Sequence, residues 1–202
     1  MTNCLILFTR YPEAGKAKTR LIPVLGAEGA ANLHRQMTEY AIAQIKKLQS
    51  SQPLSVEVHF TGGNFQLMQA WLGNEFIYRQ QSEGDIGFRM ASAFQTAFSN
   101  NIDKVIIIGS DCPNLNYQIL AEAFRSLDRN DVVLGPATDG GYYLIGLRRF
   151  IPDIFIGINW STSEVFRQTV EIAGKINLNM AYLTELSDID RPEDLAILDF
   201  RF

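Results

Sequence analysis

Val105-Ile106-Ile107-Ile108-Gly109-Ser110-Asp111-Cys112-Pro113 is the stretch whose reading decides the architecture. Four consecutive β-branched apolar residues stop at Gly-Ser, a carboxylate follows, and a proline closes the run. An unbroken apolar run bounded by turn residues describes a strand covered on both faces, as in the centre of a parallel sheet. Open α/β sheets bind ligands just beyond the carboxyl ends of such strands. Asp111 is therefore expected where a charge meets water, a metal ion or a substrate. Asp and Pro equally suit a plain turn, and this stretch alone leaves both readings open.

Working outward, Cys4-Leu5-Ile6-Leu7-Phe8 is a second buried strand by the same argument. It leads into Thr9–Arg20, a loop broken by Pro12 and Gly15 that carries Arg10, Lys16, Lys18 and Arg20 against Glu13 alone. Arginine forks and lysine point charges at the end of a strand suit a polyphosphate; a solvated basic loop is the plainer alternative. Neither G-x-G-x-x-G nor a Walker A spacing is present.

The remaining elements follow from periodicity. Apolar residues at three and four predict a helix over 27–48, with His34 off the stripe and facing solvent. Val56, Val58 and Phe60 alternate with Glu57 and His59, which predicts a strand with one face less buried. A short helix over 65–72 and a short strand over 75–79 come next. The polar loop Gln81–Asp85 then opens a helix carrying Ile86, Met90, Phe94 and Phe98. Gly84 and Gly87 permit close backbone approach, Gln81 has an amide suited to a base edge, and Asp85 also fits a helix cap. A helix over 116–127 and strands over 131–136 and 143–147 follow, the strands joined by Asp139-Gly140-Gly141-Tyr142. That turn supplies positive φ or exposes backbone N–H groups to a ligand. Ser161 to Glu164 has capping-box spacing for a helix to about residue 173. A strand near 178–183 precedes Asp188-Ile189-Asp190, whose alternate parity puts both carboxylates on one side, and Pro192 starts a helix.

Composition removes several function classes. The 202 residues fit one domain, 1–202, with 47% apolar and 20% charged residues. A net charge of −4 argues against a general nucleic-acid binder. No run is long enough for a membrane span, and the amino terminus lacks a signal-peptide pattern. Cys4 and Cys112 cannot form a disulfide framework, so a reduced, cytoplasmic location is expected. Two histidines, both in structural contexts, leave a Ser-His-Asp hydrolase and a histidine-rich metal site unsupported. What remains is an oxygen-ligand set with a basic loop, which suits Mg²⁺ (or Mn²⁺) and phosphate together. Such chemistry is displacement at a phosphoryl or anomeric centre.

Six blocks now carry a resemblance. They are Pro12-x-x-Gly15-Lys16-x-Lys18-Thr19-Arg20-Leu21, Gln81-x-x-Gly84-Asp85-x-Gly87-x-Arg89-Met90, Gly109–Pro113, Gly135-Pro136-Ala137-x-Asp139-Gly140-Gly141-Tyr142 through Gly146, Trp160-Ser161-Thr162, and Asp188-Ile189-Asp190-x-Pro192-Glu193-Asp194-Leu195. In that order they resemble the DUF2064 family, bacterial proteins described as glycosyltransferase-A-like and similar to phospholactate guanylyltransferase. Arg191 stands where the commoner ending has Thr, and the spacer after Pro12 is longer than usual.

The resemblance implies a three-layer α/β/α, Rossmann-like, nucleotide-diphospho-sugar transferase (glycosyltransferase-A) fold, with a mixed, mostly parallel sheet of about seven strands. It implies nucleotide binding by Lys16, Lys18, Thr19, Arg20, Gln81, Gly84, Asp85 and Arg89, and metal binding by Asp111 and Asp190. Asp139, Gly140, Gly141, Tyr142 and Trp160 would meet the acceptor, with Lys16, Arg20 and Asp139 closest to the chemistry. The partners would be a nucleoside triphosphate or nucleotide sugar and a small acceptor. Nucleotidyl transfer, glycosyl transfer and a non-catalytic nucleotide-binding or partner protein remain open; the sequence sets neither base nor oligomeric state.

Overall fold

A computed structural model describes residues 2–198. Its strands are β1 (Asn3–Arg10), β2 (Ser55–Thr61), β3 (Ile77–Gln80), β4 (Lys104–Ile108), β5 (Val132–Pro136), β6 (Tyr142–Leu147) and β7 (Met180–Tyr182). The helices are α1 (Ile22–Gln49), α2 (Phe65–Leu72), α3 (Ile86–Ser99), α4 (Tyr117–Ser126) and α5 (Val165–Lys175), with short 3₁₀ turns at Thr19–Leu21, Pro152–Phe155 and Pro192–Ile197. One seven-stranded sheet runs in the order β3-β2-β1-β4-β6-β5-β7. Strand β6 is antiparallel to both its neighbours; every other pairing is parallel. The expected mixed, mostly parallel α/β sheet is what the chain forms.

The apolar runs are continuous because both faces are covered. Ile106 and Ile108 of β4 join Leu5 and Leu7 of β1 in a core under α1, α2 and α4. Val105 and Ile107 join Cys4, Ile6 and Phe8 in a second core under α3 and the Pro152–Phe155 turn. Successive side chains leave opposite faces of a strand, so two apolar layers demand an apolar residue at every position. The antiparallel β6 turns its amino end, Tyr142, toward the carboxyl ends of β4 and β5. The β5–β6 hairpin therefore opens on the same rim as Asp111.

Three expectations are corrected. First, the alternation in β2 does not mark an exposed face, since Glu57 is 7% and His59 5% exposed. Glu57 Oε2 accepts from His59 Nε2 at 2.8 Å and from Arg79 Nε at 2.7 Å, so the polar residues are buried as a satisfied cluster. Second, His34 is buried rather than solvent-facing. Third, Ser161 does not cap α5. Its φ is +64°, the N-cap is Glu164, and no side chain caps that helix. The structure also starts β3 at Ile77, two residues later than expected, and ends the described chain in a 3₁₀ turn rather than an α-helix.

Burial pushes the Glu57 carboxyl up, but hydrogen bonds from His59 and Arg79 outweigh it and hold the group below the usual carboxylate range. A depressed folded value contributes stability above the unfolded pKa of about 4.3, and that stability is lost as pH falls through the folded value. Glu57→Gln is expected to cost about 1–3 kcal/mol at neutral pH. The gap to wild type should shrink below about pH 4, as urea unfolding followed between pH 3 and 7 would read.

Candidate active-site cleft

The loop after β1 folds tightly on itself. Backbone N–H groups of Lys16 and Ala17 both donate to Glu13 O, at 3.0 and 3.1 Å, and Gly15 takes φ +81°. Lys16 then points outward, its side chain 62% exposed and paired with Glu13 at 2.9 Å. Lys18 does the opposite. It adopts the left-handed conformation, with φ 46° and ψ 48°, costly for a non-glycine residue and found where surrounding contacts over-determine it. Its side chain is 5% exposed, with Nζ 2.9 Å from Asp111 Oδ2 and 3.8 Å from Asp190 Oδ1. Arg20 pairs with the other oxygen of Asp190, and Thr19 is exposed between them. Asp111 and Asp190 are thus brought together, with an ammonium between them.

Each carboxylate is fixed from behind. Ile189, fully buried, locks the Asp188–Asp190 segment onto Leu21, Ala30, Leu33 and Met37, and its N–H donates to Asp111 O at 2.9 Å. Asp188 and Asp190 are left on the opposite side, both half-buried. Asp194 accepts from the backbone N–H of Asp190 at 2.9 Å and of Arg191 at 2.6 Å. Behind Asp111, the buried His34 places Nε2 2.9 Å from Arg10 O, so that nitrogen carries the proton. Its Nδ1 lies 3.9 Å from Asp111 Oδ1. Burial, opposed by the charge of Asp111, lowers the His34 pKa and favours the neutral ring. Burial also pushes the Cys112 thiol well up, which suits a packed side chain rather than a nucleophile.

Above this floor lies a cleft of about 900 Å³, within the range of small-molecule sites. Arg20, Arg191, Asp139, Tyr142, Trp160 and Ser161 are among its walls, with Asp111, Asp188 and Asp190 at its base. Asp139 Oδ1 accepts from Gly141 N at 2.8 Å. Gly140 is a structural glycine, with φ +88°; a Cβ there would lie 2.2 Å from Ser163 O, and its carbonyl accepts from Phe166 N. Trp160 packs over Gly87, where a Cβ would lie 2.1 Å from the indole. Asp188 is pushed up by burial and then by Asp139 and Asp111.

The second expected block stands apart. The Gln81 amide donates to His59 O at 2.9 Å and Thr9 O at 3.3 Å, so it is not free to read a base. Asp85 caps α3 through Phe88 N, and Arg89 Nε donates to Gly84 O. Arg89 lines a smaller cavity of about 310 Å³ between β3 and α3. Sequence reasoning missed Arg191 as a cleft residue and His34 as the buried ring behind Asp111. Adjacency to Asp190 was the available signal for the first; the second gave none, because its partner Arg10 is remote in sequence.

No group of three or more His, Cys, Asp or Glu residues placed to hold a metal occurs among the described residues. The donors facing the cleft floor are carboxylate oxygens, the chemistry that Mg²⁺ and Mn²⁺ accept, and Asp188 feels the charges of Asp139, Asp111 and Lys18 together. In donor type, though not in a gathered set of three, Asp111 and Asp190 are compatible with a hard divalent cation.

The sequence profile of a family described as "Uncharacterized protein conserved in bacteria (DUF2064)" matches residues 44–162. Among solved structures, a candidate nucleotide-diphospho-sugar transferase from Desulfovibrio desulfuricans G20 is 34% identical, with TM-score 0.87 over 95% of this chain and 84% of that one. The CMP:2-keto-3-deoxy-manno-octonic acid synthetase complexed with CTP is 12% identical, with TM-score 0.56 over 98% and 96%. Glucosyl-3-phosphoglycerate synthase from Mycobacterium tuberculosis, in complex with Mn²⁺, UDP and glucosyl-3-phosphoglycerate, is 12% identical, with TM-score 0.58 over 96% and 74%. No curated protein matches the chain.

Gly87→Ala should force the Trp160 indole off α3. The expected result is a shifted Trp160 emission in a Trp71→Phe background and a loss of about 1–3 kcal/mol in stability; unchanged emission would show that the indole does not rest on this glycine.

Proposed function

The chain belongs to the DUF2064 family, and from that premise we propose that it is a divalent-metal-dependent transferase using a nucleoside triphosphate or a nucleotide sugar. It would pass a nucleotidyl or glycosyl group to a small acceptor. The observation that carries this reading is the buried Lys18 ammonium between Asp111 and Asp190 at the floor of the cleft, beside Arg20. A site that already holds one cation between two carboxylates, with arginines at its lip, is suited to a metal–polyphosphate complex.

Asp111 and Asp190 would hold Mg²⁺ or Mn²⁺, which when bound neutralises charge on the phosphates. Lys18, released from its two carboxylates, would turn its ammonium to a phosphate oxygen. Arg20 and Arg191 would add guanidinium forks from the lip, and Asp139 would accept the acceptor's proton. Tyr142 and Trp160 would wall the acceptor, while the neutral His34 ring, bonded to Arg10 O, packs behind Asp111. Gln81, Gly84, Asp85 and Arg89 would act by bracing the loop after β1, since Gln81 bonds the carbonyl of Thr9. Lys16, exposed and paired with Glu13, would join only on loop closure. The catalysis asked of these groups is positioning and charge stabilisation, with no covalent nucleophile.

Melting curves against nucleoside triphosphates and nucleotide sugars, each with Mg²⁺, Mn²⁺ or EDTA, test the reading, because a ligand of the native state raises Tm by mass action. A metal-dependent rise is expected, and Asp111→Asn should abolish its metal-dependent part. Arg191→Ala should weaken the same nucleotide by about tenfold or more, the worth of a charged hydrogen bond. Absence of a shift with any nucleotide would remove the proposal in favour of a non-catalytic role.

A further inference from the structure

We infer that the cavity between β3 and α3 is a second ligand site, built for a phosphate group, whether inorganic phosphate or the head of a small phosphate monoester. The site lies apart from the cleft and does not depend on the transferase reading.

Arg79, Arg89, Ser82, Ser92 and Thr96 are among the residues that line this cavity, and among the described residues no carboxylate does. The cleft, by contrast, has an acidic base. Two elements build the cavity. In β3, Arg79 lies in register with His59 and leaves the face opposite Tyr78. In α3, Arg89, Ser92 and Thr96 recur at three and four, a polar stripe beside the buried Met90, Ala93, Phe94 and Ala97. The same helix lends Ile86 and Met90 to the cleft, so α3 is a wall of both spaces.

What this lining leaves unused are donors. Arg79 is held through Nε, which donates to Glu57 Oε2 at 2.7 Å, and its Nη atoms make no hydrogen bond among the described residues. Arg89 is held through Nε on Gly84 O at 2.9 Å, with Nη1 3.5 Å from Gln81 Oε1, and it makes no ion pair among the described residues. Both side chains are half-buried, so each fork is tethered at its base. Ser82 Oγ donates to Ser92 Oγ at 2.8 Å, which leaves the Ser92 proton with no acceptor among the described residues. Thr96 spends its own proton on Ser92 O. Guanidinium forks and a hydroxyl that nothing receives suit a ligand rich in acceptors, and phosphate brings several oxygens and negative charge. Glu57 balances one of the two guanidiniums, so the pair carries one positive charge in excess. A volume of about 310 Å³ is at the small end of ligand sites, suited to a phosphate head and a short carbon chain rather than a whole nucleotide.

The test titrates inorganic phosphate and glycerol 3-phosphate separately into the full, nitrogen-15-labelled chain, with EDTA present and chloride holding the ionic strength constant. In NMR spectra the Nε–H signals of Arg79 and Arg89 and the amide of Ser92 should shift and saturate, with Kd of about 1 mM or tighter. Either ranking of the two ligands upholds the site and names its source, free phosphate or an ester. Ser92→Ala, which removes one hydroxyl and suits a helix, and Arg89→Gln, which removes one fork, should each weaken binding about tenfold. Shifts without saturation, the same shifts with chloride alone, shifts confined to the Arg20 and Arg191 signals of the cleft, or an unchanged Kd in both variants would each overturn the inference.

Discussion

An ammonium clasped by two carboxylates is the interaction on which the cleft depends. Buried alone, Lys18 would be a desolvated charge; faced with each other alone, Asp111 and Asp190 would repel. Together they tie three chain segments at one point: the loop after β1, the end of β4 and the stretch before the last 3₁₀ turn. The left-handed backbone at Lys18 is held in place by that arrangement. The clasp works through charge rather than shape, so replacing any one of the three groups leaves the other two with unbalanced charge.

The sheet makes this convergence possible. β1 and β4 are adjacent and parallel, in register from Asn3↔Lys104 to Leu7↔Ile108, so their carboxyl ends share one rim. Inserting β6 antiparallel between β4 and β5 returns the chain to that rim with Tyr142 leading. An all-parallel arrangement would have sent the residues before β6 to the far side, away from Asp111. The two apolar layers keep that rim stiff, since Ile106 and Ile107 pack into opposite cores from adjacent positions.

Features encoded by local chemistry were legible in the sequence. The runs at β1 and β4 announce strands covered on both faces, and the parity of Asp188 and Asp190 about Ile189 places both on one side of a buried anchor. What escaped depends on partners distant in the chain. His34 is buried because Arg10 O and Thr9 Oγ1 receive it, not because its own helix is apolar there. Glu57 and His59 mimic an exposed face, yet Arg79 from the neighbouring strand completes a buried cluster. Ser161 has the spacing of a cap, but its left-handed turn leaves Glu164 as the N-cap, while Glu164 N donates to Thr162 Oγ1 instead. Gln81 has the right chemistry for a base edge, and two backbone carbonyls claim it first.

The segment 186–191 has two duties at once. Through Leu186 and Ser187 it is bound to the β5–β6 turn, and through Ile189 it is bound to α1 and Asp111. Asp188 and Asp190 therefore reach the cleft on one side of Ile189, Asp188 near Asp139, Asp111 and Lys18, and Asp190 paired with Lys18 and Arg20. Arg191 also lines the cleft, from a backbone that Asp194 fixes by accepting its N–H. Changes at Asp188, Asp190 or Arg191 alter the charge lining the cleft, whereas Leu186 and Ile189 of the same stretch pack against apolar cores. The buried Ile189 makes that division possible, since it fixes the backbone while its two acidic neighbours line the cleft.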